Sequence, residues 1–97
     1  MKIPYIISYD LCGKDKDYET LISNIESYST HFKITESCWI VFTDKSFNSF
    51  GTDLVKDLDD DDRIFIAELT YNVAAANPLC DFESLSKEMN IYKNAKE

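Results

Sequence analysis

His31-Phe32-Lys33-Ile34-Thr35-Glu36, then Ser37, then Cys38-Trp39-Ile40-Val41-Phe42-Thr43-Asp44, is the stretch on which the fold turns. Both runs are rich in β-branched and aromatic side chains. The second alternates Cys38, Ile40 and Phe42 on one face with Trp39, Val41 and Thr43 on the other, which is the two-residue period of a strand. The pair reads as a hairpin turning near Glu36-Ser37; one long bent strand is the alternative. As a hairpin, it puts two adjacent antiparallel strands in the middle of the chain and leaves the flanks to supply the rest of a sheet.

Upstream, Ile3-Pro4-Tyr5-Ile6-Ile7-Ser8-Tyr9-Asp10 has the composition of a strand and stops at a Cys-Gly-Lys-Asp loop. Tyr18, Leu21, Ile22, Ile25 and Tyr28 then fall on one face of a helix, with Asp15 or Asp17 available as N-cap. Downstream, Ser46 can cap a second helix with the apolar stripe Phe47, Phe50, Leu54, Val55 and Leu58; Gly51 inside it costs about 1 kcal/mol relative to Ala. Asp59-Asp60-Asp61-Asp62 forces a loop, because four anions would face the negative end of that helix. Arg63 to Thr70 reads as the last core strand. Tyr71 to Pro78 reads as irregular, and Phe82, Leu85, Met89 and Tyr92 mark a short C-terminal helix.

The order is β-α-β-β-α-β over a core of residues 3–70, followed by a C-terminal extension, 71–97, in one domain. This is an α+β, ferredoxin-like architecture. Right-handed crossovers place both helices on one face of a four-stranded antiparallel sheet, with strands one and three central. The other face is expected to be bare, to carry residues as large as Trp39 or Tyr9, and to be covered by a second copy in a homodimer.

The chain has 18 Asp and Glu against 10 Lys and Arg, a net charge of −8, and Arg63 is its only arginine. Nucleic-acid backbones are bound by cations that displace counterions, so this balance opposes simple electrostatic capture of RNA or DNA and suggests solubility, a basic partner or a bound cation. Cys12, Cys38 and Cys80 lie in no metal-ligand spacing, and their odd number argues against a disulfide framework. No apolar run approaches the roughly 18 residues of a membrane span, and no signal peptide is expected, so the cytoplasm is the default compartment.

In this topology strand one ends at the rim where strands three and four begin, so Asp10, Glu36 and Asp59 to Asp62 converge there. Clustered carboxylates are the hard oxygen ligands that Mg2+ or Mn2+ prefers, and such an ion can activate water against a phosphodiester. Acidic residues are also common in solvated turns, and Asp10 serves equally well as a loop cap ahead of the first helix. His31, the sole histidine, is weighed as a general base against an ordinary strand residue. Ser8 and Ser37 have no neighbouring His or Lys in sequence to activate them as nucleophiles. Trp39 reads as core or interface rather than a stacking platform.

The runs Tyr5–Leu11, Glu36–Val41 and Asp62–Leu69 resemble small proteins labelled SinR-like, which are similar in fold to the CRISPR-associated small endonuclease family and more distantly to the VapD toxins. The resemblance covers roughly residues 5–70. It implies a homodimer in which the aspartate ending strand one, here Asp10, faces its mate across the interface and holds a divalent metal, Mg2+ or Mn2+, for RNA or DNA cleavage. Ser37 falls where those nucleases carry a serine at the start of strand three. The chain departs from the family just after Asp10, where arginines are usual and Cys12 to Asp17 offers only Lys14 and Lys16. A metal-dependent endonuclease is one expectation. A non-catalytic acidic module that binds a basic nucleic-acid-binding protein is the other, with a toxin–antitoxin component sharing features of both.

Overall fold

The computed structural model describes residues 1–11 and 15–96, with the side chains of 15–17 left aside. Cys12, Lys14 and the side chains of Asp15, Lys16 and Asp17 therefore lie outside the described residues. The elements run β1 (Ile3–Asp10), α1 (Asp15–Glu26), β2 (Thr30–Thr35), β3 (Cys38–Thr43), α2 (Phe47–Val55), β4 (Arg63–Glu68) and α3 (Phe82–Lys96). The hairpin reading of the central stretch holds, with Glu36 and Ser37 as its turn. The sheet order is β2-β3-β1-β4 and all pairings are antiparallel, so β1 and β3 are the central strands, as expected of a ferredoxin-like α+β fold.

Strand parity decides what each face does. Tyr5, Ile7 and Tyr9 of β1, Trp39 and Val41 of β3, and Ile64 and Ile66 of β4 share one face with Leu21 and Ile25 of α1 and Phe50 and Leu54 of α2. This is the larger core. Tyr5 and Phe50 stack with ring centroids 4.8 Å apart, and Tyr28 meets Phe50 edge-on at 5.2 Å. Ser46 caps α2 by accepting the Ser49 N–H at 3.2 Å, a contact worth about 1 kcal/mol. The helix ends at Val55, short of Leu58, and Phe47 and Val55 at the margins of its stripe are exposed.

The expectation for the second face is corrected in two ways. Tyr9 and Trp39 do not lie there; they are buried under α1 and α2. The face is also not bare, because α3 folds back over it. Leu85, Met89 and Tyr92 pack on Ile40 and Phe42, with Ile6, Phe32, Ile34, Leu69, Val73, Cys80 and Phe82 around them. The segment read as a short helix is a 15-residue element, the longest helix among the described residues, and it closes a second, smaller core. The strand carrying Ile40 and Phe42 is thus covered on both sides. Leu79 N–H also donates to Ile34 O at 3.0 Å, which engages one carbonyl on the outer edge of β2. On the opposite side of the sheet, β4 is the terminal strand.

Cover is incomplete at one end of this face. Ser8 stands opposite Cys38 and Phe65, and Asp10 stands opposite Arg63. Ser8, Asp10, Arg63 and Phe65 are exposed, Phe65 at 66%. The open part of the second face is therefore a strip at the end of β1 and the beginning of β4.

Candidate functional site at the open end of the sheet

The backbone gathers at this rim the segments that the sequence suggested. Asp10 is in register with Arg63, the residue after the aspartate run, and Tyr9 N–H donates to Ser37 O at 3.1 Å, which ties the hairpin turn to the end of β1. Beneath the rim runs a hydrogen-bonded chain. Trp39 Nε1–H donates to the Tyr9 hydroxyl at 3.1 Å, and that hydroxyl donates to Glu36 O at 3.3 Å. Both rings are buried, so the chain satisfies their polar tips and fixes the Glu36-Ser37 turn from below.

The carboxylates at the rim point to separate partners. Asp10 Oδ2 accepts from Arg63 Nη1 at 3.5 Å. Glu36 Oε2 pairs with Lys33 Nζ at 3.3 Å, and Asp62 Oδ2 accepts the Asp59 N–H at 3.0 Å. Among the described residues no group of three His, Cys, Asp or Glu side chains comes together as a metal site. The segments converge as read from the sequence, whereas their acidic side chains do not form a cluster within one chain. Asp10 is the carboxylate that stands on the open strip itself. With Arg63, Ser8, Tyr9, Ile64 and Phe65 it lines a shallow cavity of about 220 Å³.

The other sequence candidates divide. Ser37 sits at the rim through its backbone, one residue before the Cys38–Ser8 pair. His31 lies on the opposite face of the sheet, its ring 5.9 Å from Trp39 and its Nδ1–H donating to Tyr28 O at 2.8 Å, so it is a structural contact remote from Asp10. Cys38 and Cys80 are free thiols, half-buried, and desolvation pushes both above the usual thiol range. No local pattern in the sequence marks Arg63 as the partner of Asp10; the pairing follows from the β1–β4 register.

A second polar constellation lies on the helical side. The Asp53 carboxylate accepts from the Tyr28 hydroxyl and from Lys56 Nζ at 2.8 Å, and it lies 3.7 Å from Lys45 Nζ, which itself donates to the Tyr28 hydroxyl at 3.1 Å. Burial alone would raise Asp53, but the hydrogen bonds from Lys56 and Tyr28 and the Lys45 charge outweigh it and hold the carboxyl below its ordinary value. Burial, then the bond to Asp53, pushes the Tyr28 hydroxyl up. Every group in this cluster is engaged, and it joins the end of α1 to α2. A polar groove of about 570 Å³ lies near it, between α1 and the end of α2, lined by Glu19, Ser23, Asn24, Lys56 and Asp57 among others. It is a wide surface depression on the side of the sheet away from Asp10.

No helix among the described residues is long and apolar enough to cross a membrane. No family model matches the chain, and no curated protein does. Among solved structures, the crystal structure of a hypothetical protein, TT1823, from Thermus thermophilus is similar with a TM-score of 0.63 at 20% sequence identity, over 84% of this chain and the whole of that one. At that identity the likeness establishes a shared fold.

Proposed function

We propose that the protein acts as a homodimeric, ferredoxin-like endonuclease of the SinR-like and CRISPR-associated type, in which the Asp10 carboxylates of two copies hold a divalent cation, Mg2+ or Mn2+, for hydrolysis of RNA or DNA. The observation that carries this reading is the place of Asp10. It is an exposed carboxylate at the end of a central strand, on the part of the sheet that neither α3 nor the other helices cover, beside a Phe65 ring that is 66% exposed. An aromatic of that exposure on an open sheet strip suits burial against a second copy, and a two-fold axis through the strip would bring the two Asp10 side chains together.

One carboxylate per chain, with no third ligand among the described residues, falls short of a metal cage. Two carboxylates from a dimer plus a substrate phosphate are the ligand set on which magnesium sites commonly rely. A cation held this way would lower the pKa of a bound water and so make hydroxide available for attack on phosphorus. The chain's own part is to present Asp10 on a rigid central strand, to offer the Ser37 hydroxyl at the adjoining turn, and to keep both in place through the Tyr9–Trp39 chain below.

The test is cleavage of labelled RNA and DNA by the purified protein with Mn2+. Cleavage should be lost in Asp10→Ala, and the protein should sediment as a dimer that Phe65→Ser dissociates. Equal cleavage by Asp10→Ala, or none by the parent protein, overturns the reading.

A second reading, a non-catalytic acidic module for a basic partner protein, is favoured by the exposed Asp59, Asp60 and Asp61 at the same rim and by the net charge of −8. Growth arrest on expression that survives Asp10→Ala but is lost when these three aspartates become asparagine would place the activity in the acidic turn, as a toxin–antitoxin or inhibitor component requires.

A further inference from the structure

We infer that Arg63 is a phosphate-binding residue of the Asp10 site, held by Asp10 in the free protein and released to a phosphodiester when that carboxylate is engaged elsewhere. The inference rests on the endonuclease reading above and names how the same site takes hold of its substrate.

The Asp10–Arg63 pair is poorly explained as a structural tie. Its single close contact, Arg63 Nη1 to Asp10 Oδ2, is 3.5 Å long, and the two side chains are 77% and 69% exposed. Pairs that exposed add little to stability, because water screens the charges and holding two long side chains together costs entropy. The β1–β4 ladder is already secured by the register running from Tyr5–Glu68 to Asp10–Arg63 and by the apolar side chains of both strands. A weak pair is also an easily opened one.

What the pair does accomplish is electrostatic. The open strip carries Ser8, Asp10, Cys38, Arg63 and Phe65, and Arg63 is the cation among them. The lysines with defined partners are elsewhere: Lys33 lies over Trp39 on the other face, Lys45 and Lys56 bind around Asp53, Lys2 reaches Ser29 and Thr30, and Lys96 lies over Tyr92 at the end of α3. In a chain of net charge −8, the sole guanidinium stands in the cavity that holds the candidate catalytic carboxylate. A guanidinium presents a planar fork of donors matched to two phosphate oxygens, whereas a carboxylate beside it masks that fork. Once a cation takes Asp10, the guanidinium loses that counter-charge and its fork is open to the non-bridging oxygens of the bound strand. This arrangement also meets the objection that the loop after Asp10 has lysines in place of arginines, because the phosphate contact comes from β4.

The test is fluorescence anisotropy with labelled rU12 and dT12 in EDTA over stepped NaCl, for the parent protein, Asp10→Asn, Arg63→Gln, Arg63→Lys and the doubles of Asp10→Asn with each Arg63 variant. Asp10→Asn should tighten binding severalfold by unmasking Arg63. Adding Arg63→Gln should then weaken it roughly tenfold, the scale of one charge-assisted contact, and lower the salt slope by about 0.7, the share of one phosphate on a single strand. Arg63→Lys in the same background should restore part of the affinity and the whole slope. The loss from Arg63→Gln should be smaller when Asp10 is intact. Unchanged affinity and slope on adding Arg63→Gln to Asp10→Asn, or no binding of either oligonucleotide by any variant, overturns the inference. Manganese-dependent cleavage in parallel judges the endonuclease reading separately: Arg63-dependent binding without cleavage removes that reading and leaves the phosphate contact standing, whereas Asp10-dependent cleavage with Arg63-independent binding does the reverse. Preference between rU12 and dT12 identifies which strand supplies the phosphate.

Discussion

The two faces of the sheet are closed by different means. On one, α1 and α2 arrive as crossover connections between strands that are not neighbours, β1 to β2 past β3 and β3 to β4 past β1, so the topology itself lays them over Tyr5, Ile7, Tyr9, Trp39 and Val41, and the resulting core runs the full length of β1. On the other, α3 arrives after the sheet is complete and covers Ile40 and Phe42 but stops short of Ser8, Asp10 and Phe65. The crossover face is fixed by connectivity, and the α3 face by side-chain packing together with the Leu79–Ile34 backbone hydrogen bond. Exposed polar and aromatic groups accumulate where that second cover ends, so the incompletely covered face is the one with surface to spare for chemistry.

The comparison is challenged hardest in the first core. Phe50 is fully buried between Tyr5 and Tyr28, and Phe50→Ala should cost about 3–5 kcal/mol in urea unfolding. A loss below about 1 kcal/mol would mean that the crossover face is not the main source of stability. Next comes Leu85, a residue of α3 that is 1% exposed against the sheet. Leu85→Ala should cost about 2–3 kcal/mol, at the low end of the range for buried leucine because α3 is free to shift into the space, and amide exchange should speed in α3 before it does in β1 and β3. Uniform acceleration would show that the two faces unfold as one unit.

The smallest of these effects is set by pH. Asp53 has its folded-state value depressed, so its contribution to stability is complete above the ordinary carboxylate range and is lost as pH falls through the folded value. Tyr28 and Lys45 are raised, so theirs is complete below their ordinary values and is lost as pH rises through the folded ones. Stability should therefore be flat near neutrality and decline in acid. Asp53→Asn should cost about 1–2 kcal/mol at pH 7 and flatten the acid limb. An unchanged acid limb would locate acid sensitivity outside the cluster that joins α1 to α2.

Much of the fold could be read from local pattern. β1 has the expected limits, Ile3 to Asp10, because eight residues of strand-forming side chains end in a turn-forming loop; the Ser46 cap and the four-aspartate break are equally local signals. Which parity faced the helices was misjudged, although the signal was present. Ser8 and Asp10 share one face of β1, so the all-apolar set Tyr5, Ile7 and Tyr9 had to be the helix-covered one. The role of α3 was less accessible. Its four apolar positions predicted a helix, but where that helix docks depends on how residues 69–81 cross the sheet, and no local periodicity encodes that path. For the site, Asp10 was legible as a carboxylate closing an apolar strand. Its pairing with Arg63 joins residues 53 positions apart and becomes visible only through the register.

The Leu79–Ile34 hydrogen bond has a further consequence. Because it engages the Ile34 carbonyl, a strand adding to the outer edge of β2 would first have to displace the chain at Leu79. That contact is a local guard against edge-to-edge aggregation, of the kind a covering loop provides.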